Sequence, residues 1–137
     1  MANDLEHQTT LDGWRNCVVK FTGVIDTADV SWTPAFRLTD CTNNESRATL
    51  VGFRIDLVEW SLSSGLELVL EWNSADPQQI YPLAGRGRIN GWNYGGFTPD
   101  RTRPGYDGAL NLRTQAYAPG TIANFTIVLE LVKLYTA

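Results

Sequence analysis

Along most of this chain apolar and polar positions alternate with a period of two, the mark of strands that bury one face. In RNCVVKFTGVI, Cys17, Val19 and Phe21 alternate with Val18, Lys20 and Thr22. The clearest segment is VGFRIDLVEWSLSSGLELVLEWN, residues 51 to 73. Phe53, Ile55 and Leu57 share one phase, and Val58, Trp60 and Leu62 share the other. A phase change inside one strand predicts a β-bulge, where an extra residue re-aims the side chains. SSG reads as a tight turn, after which Leu66, Leu68, Leu70 and Trp72 alternate with Glu67, Val69 and Glu71. The two runs predict a hairpin pairing 51–62 with 65–73, with Trp60 and Trp72 in the core. TIANFTIVLELVKLY predicts a long strand over 121–135, with Phe125, Ile127, Leu129, Leu131 and Tyr135 on one face.

Between these runs the chain is turn chemistry. DVSWTPAFRL is interrupted at Pro34 and reads as an edge or loop piece. No window combines a 3.6-residue period with capping signals. Short strands separated by Gly and Pro turns predict an all-β fold, a single-domain antiparallel β-sandwich over residues 13–137 for which a jelly roll is one arrangement. Residues 1–12, MANDLEHQTTLD, show no apolar periodicity and read as a flexible N-terminal arm.

At 137 residues the chain is long enough for one sizeable core. Its net charge of −4 argues against a nucleic-acid partner. The cations are nine arginines and two lysines, and arginine favours interfaces through its planar fork of donors. Cys17 and Cys41 are too few for a disulfide framework and read as free, buried thiols. The first residues lack the basic and apolar regions of a signal peptide, and no apolar run approaches a membrane span. The expectation is a soluble protein made in a cytoplasm.

The segment GRGRINGWNYGG, residues 85–96, stands apart with five glycines, two arginines, Trp92 and Tyr94. As a phosphate cradle it fails, because Gly85, Gly87 and Gly91 are misspaced and no helix follows. Triad chemistry lacks a placed histidine, since the only one, His7, lies in the arm. Glu67 and Glu71 on one strand face would stand roughly 13 Å apart, too far for a glycosidase pair. Cross-strand pairs such as Glu59 with Glu67 read as a solvated sheet face. Asp40, Thr42, Asn44 and Glu45 match a calcium loop only in part, with Glu45 where the glycine belongs, so no metal or cofactor is expected. Trp92 and Tyr94, flanked by Arg86, Arg88, Arg101 and Arg103, remain as the candidate binding residues. Three readings of Trp92 stay open: a protein contact, a sugar-stacking platform, or a plug beneath its own loop.

The run LDGWRNCVVKFTGV, then RIDLVEWSLSSGLELVLEW, PLAGRGRINGW and FTIVLELVKLY, resembles small virion proteins of tailed bacteriophages, of the head-decoration (cement) kind. The resemblance covers most of residues 11 to 135 and rests on overall pattern, with no catalytic motif. It implies a β-rich, non-enzymatic virion protein, assembled with itself as a homotrimer and seated on a major capsid protein. It assigns no individual binding residue. The alternative from another class is a lectin-like module, with Trp92 and Tyr94 against a glycan.

Overall fold

The computed structural model describes residues 3–41, 49–91 and 95–136. These residues form an all-β sandwich of nine strands: β1 (Asp4–Asp12), β2 (Asn16–Ile25), β3 (Ser31–Phe36), β4 (Thr49–Leu62), β5 (Glu67–Trp72), β6 (Gln78–Ala84), β7 (Arg86–Asn90), β8 (Leu110–Gln115) and β9 (Ala123–Thr136). One sheet has the order β1-β2-β9-β4-β7, the other β3-β8-β5-β6. Every ladder is antiparallel. From β2 onward these are the strand orders of an eight-stranded jelly roll, with β1 added at one edge.

The core is the single layer between the sheets. β9 supplies Phe125, Ile127, Leu129 and Leu131, and β2 supplies Cys17, Val19, Phe21 and Ile25. Leu66, Leu68, Leu70 and Trp72 face them from the other sheet, all nearly inaccessible, in the phase their alternation predicts. The expected bulge is present, since the β4–β9 register slips between Ile55 and Leu57. It lets Phe53 and Ile55 before it, and Val58 and Leu62 after it, all reach the core. Pro34 lies on β3, an edge strand, as its missing donor requires.

Three expectations need correction. First, β4 and β5 are not a hairpin. β4 pairs with β9 and β7, whereas β5 pairs with β6 and β8. The turn at Ser63–Leu66 carries the chain across the core, closed by the Leu66 N–H donating to the Ser63 carbonyl at 3.1 Å. Two amphipathic strands joined by a tight turn bury the same residues whether they lie side by side or face each other, so alternation cannot distinguish the two. Glu59 and Glu67 consequently sit in different sheets.

Second, most of the expected arm is strand β1, paired with β2 from Asp4↔Val24 to Asp12↔Cys17. Leu5 packs against the core, and the His7 ring lies 5.6 Å from Phe36 and 6.3 Å from Trp32. An edge strand held by its ladder needs little apolar alternation, which is why its sequence reads as polar. Third, Trp60 is half-buried at the margin of the core, its indole N–H donating to the Ala84 carbonyl at 3.0 Å.

Leu68 is fully buried near the start of β5, an inner strand of its sheet. Leu68→Ala should destabilise the fold by ~2–5 kcal/mol. Chemical denaturation checks this, and a neutral result would contradict the inward register of β5.

Candidate interaction surface

The glycine-rich segment begins at a corner of the sandwich. β6 ends at Ala84 in one sheet and β7 begins at Arg86 in the other, so the chain changes sheets at Gly85. Its φ of +67° is the left-handed region that glycine enters without a Cβ penalty. Its carbonyl accepts from the Leu62 N–H at 2.7 Å, tying the corner to the end of β4. Two residues on, Trp60 packs against Gly87, where any Cβ would come within 2.6 Å of the indole. These glycines shape the protein's own edge.

Trp92 and Tyr94 lie outside the described residues, as does most of the partial calcium loop. The four arginines expected around Trp92 separate into three places. Arg86 and Arg88 project from the outer face of β7, beside Ser61 and Glu59 of β4. Arg103 donates to the Asp76 carbonyl at 2.8 Å and helps fasten the 100–106 loop to the end of the other sheet. That loop is further held by Thr102 on Asp100, which lowers the Asp100 pKa, and by Tyr106, whose hydroxyl donates to the Val51 carbonyl at 2.8 Å. So fastened, the loop places Arg101 in a different group.

Arg101 joins Arg15 and Arg54 around a groove of about 710 Å³ on the five-stranded sheet, floored by Val132 and Leu134 of β9. Arg54 grips Asp56 through two hydrogen bonds, 2.8 and 3.2 Å, and this pairing raises the Arg54 pKa. Arg15 and Arg101 are exposed and make no ion pair among the described residues. Three guanidiniums against one carboxylate leave the groove positive in an acidic protein. Beside it, Leu11 is 51% and Trp14 60% exposed, and Leu11 lines a second hollow with Val18 and Val132.

A buried charge holds this rim in place. Lys133 falls in the inward phase of β9, and its side chain is fully inaccessible. Its ammonium donates to Asp12 at 2.5 Å and to the Gly13 carbonyl at 2.7 Å, while its backbone N–H donates to the Arg15 carbonyl at 2.6 Å. The Tyr135 hydroxyl donates to the Trp14 carbonyl at 3.0 Å. The turn after β1 is thus bound over the end of β9, with the Trp14 ring left facing outward. Sequence reading missed Leu11, Trp14, Arg15, Arg54 and Asp56 as a group. Their one visible signal is the lysine at Lys133, which interrupts an otherwise apolar phase of β9.

Cys17 and Cys41 are both free, Cys17 buried and Cys41 half-buried. Each thiol pKa is raised to about 11, chiefly by burial, with Asp12 contributing to the rise in both and Lys133 opposing it in both. Both are neutral thiols near pH 7, the form that reacts slowly. Glu71 and Glu67 belong to a polar sheet face, accepting from Arg113 at 3.4 Å and from Gln115 at 2.8 Å respectively. No group of acidic, histidine and cysteine side chains suited to a metal occurs among the described residues, and none of their helices is long and apolar enough to cross a membrane.

The chain matches no protein-family model, no curated protein and no solved structure.

Two predictions follow from the buried pair and the thiols. Asp12→Ala leaves an inaccessible ammonium with a weaker set of acceptors and should cost about 2–3 kcal/mol. Lys133→Met should cost less, because the remaining Asp12 is partly solvated; urea melts of the two variants give the order. For the thiols, stability is flat below the ordinary value of 9.0, where folded and unfolded forms both keep their protons. Between 9.0 and about 11 the unfolded thiols ionise and the folded ones do not, so stability falls as pH rises. Unfolding titrations at pH 8 to 11 should show this slope, reduced in Cys17→Ala.

Proposed function

We propose that this protein is non-enzymatic and works by protein–protein contact, as a virion structural protein that binds and stabilises a phage capsid and is found in the virion. The observation that carries the reading is the rim of the five-stranded sheet, where exposed Trp14 precedes Arg15 at the groove that Arg15 and Arg101 line, and exposed Leu11 lines the adjoining hollow. Tryptophan and arginine dominate the energetics of protein interfaces, and exposed apolar side chains near unpaired guanidiniums have the composition of an interface centre and its polar rim. The sequence resemblance to head-decoration proteins supplies the kind of partner, a major capsid protein. The jelly roll is compatible with that role but serves lectins as well, so the fold alone does not separate them.

The test is co-sedimentation with capsid shells assembled from the major capsid protein encoded alongside this chain. Wild-type protein should pellet with the shells. Trp14→Ala should weaken binding by roughly thirtyfold, the equivalent of a 2 kcal/mol anchor, with the circular dichroism spectrum unchanged. Absence of shell binding together with a positive glycan array would move the protein to sugar recognition.

A further inference from the structure

We infer that copies of this chain join edge to edge, β7 of one beside β1 of the next, extending the five-stranded sheet head to tail. This specifies the self-association within the reading above and rests on the edges of the two sheets.

A sandwich has four sheet edges, and each is a template for another strand unless something blunts it. Here the edges are β1 and β7 in one sheet, β3 and β6 in the other. The four-stranded sheet carries a proline on each edge, Pro34 in β3 and Pro82 in β6, and proline removes a ladder donor. The five-stranded sheet carries none on either edge. Among the described residues β1 pairs only with β2 and β7 only with β4. Only this sheet has two edges without that block.

These two edges bear opposite charge. On β1, Asp4 and Glu6 are exposed and lie across from the uncharged Val24 and Thr22. On β7, Arg86 and Arg88 are exposed. Arg86 lies across from Ser61, while Glu59 lies across from Arg88 and offsets part of its field. Each charged pair is spaced i, i+2 on one face of its strand, a repeat of about 6.6–6.8 Å. Joining β1 to β1 about Leu5 sets carboxylates against carboxylates, and joining β7 to β7 about Gly87 sets guanidiniums against guanidiniums. Like charges directly opposite destabilise a ladder, so the charges disfavour both symmetric pairings and permit the mixed one.

The topology also fixes the direction. Four successive antiparallel ladders separate β1 from β7, so the two edges run parallel within one sheet. A neighbour added with its outer face on the same side must therefore present β1 parallel to β7. In the register that sets Asp4 beside Arg86, Glu6 falls beside Arg88, because both charged pairs run in the same order with the same i, i+2 spacing. Such a contact is heterologous, and it closes into a ring if each step rotates suitably.

Charge reversal tests this by sedimentation velocity. Asp4→Arg with Glu6→Arg makes both edges basic, and Arg86→Glu with Arg88→Glu makes both acidic. The wild type should self-associate more weakly as salt rises. Each reversed protein alone should bind itself ~10-fold or more weakly, and an equimolar mixture should recover association, because each basic edge now meets an acidic one. A reversed protein that fails to fold is replaced by its neutral version, Asp4→Asn with Glu6→Gln or Arg86→Gln with Arg88→Gln, which should weaken association in the same direction. A wild type that stays monomeric through the micromolar range, unchanged association in the substituted proteins, or a mixture of folded reversed proteins that does not recover would each overturn the inference. None of those results bears on shell binding by the Trp14 rim, which co-sedimentation reads separately.

Discussion

The structure depends on one layer of apolar side chains held between two sheets, and every strand must present its apolar residues to that layer in phase. β9 sets the frame, because it is laddered on both sides, to β2 and to β4, and its inward residues span the core. The other strands adjust to it. β4 resets its phase with a bulge between Ile55 and Leu57, and without that reset Val58 and Leu62 would point to solvent. At the opposite margin, the corner at Gly85 changes sheets within one residue, and Trp60 covers the exposed margin by packing against Gly87.

The same requirement explains the single buried lysine. Lys133 occupies an inward position at the end of β9, where the layer thins and the turn after β1 folds over it. Its ammonium finds Asp12 and the Gly13 carbonyl there, which holds Trp14 and Arg15 at the rim of the positive groove. Core packing and the candidate contact surface are therefore linked through one side chain. A change at Lys133 reaches the rim, whereas a change at Trp14 leaves the core intact.

The outer face is differentiated by the edges. Proline closes both edges of the four-stranded sheet, while those of the larger sheet carry acidic residues on one side and arginines on the other. Edge charge usually keeps strands apart. In the head-to-tail pairing inferred above, opposite signs on parallel edges would convert that protection into a choice of neighbour, and Trp14 and Arg15 lie outside the two edge strands that would meet.

Alternation determined the all-β class, the inward phase of Leu66 to Trp72 and the bulge in β4, and the missing N–H of Pro34 limited its segment to an edge or a loop. Each is a local property, set by which side of a strand is apolar or by a missing N–H. Tertiary structure alone decided that β4 and β5 face each other across the core, since a facing pair and a hairpin bury the same side chains. It alone made β1 a strand, because an edge strand is held by its ladder more than by its own apolar face. It also divided the arginines, sending Arg86 and Arg88 to one edge and Arg101 to a groove with Arg15 and Arg54, residues distant in sequence that only the folded sheets bring together.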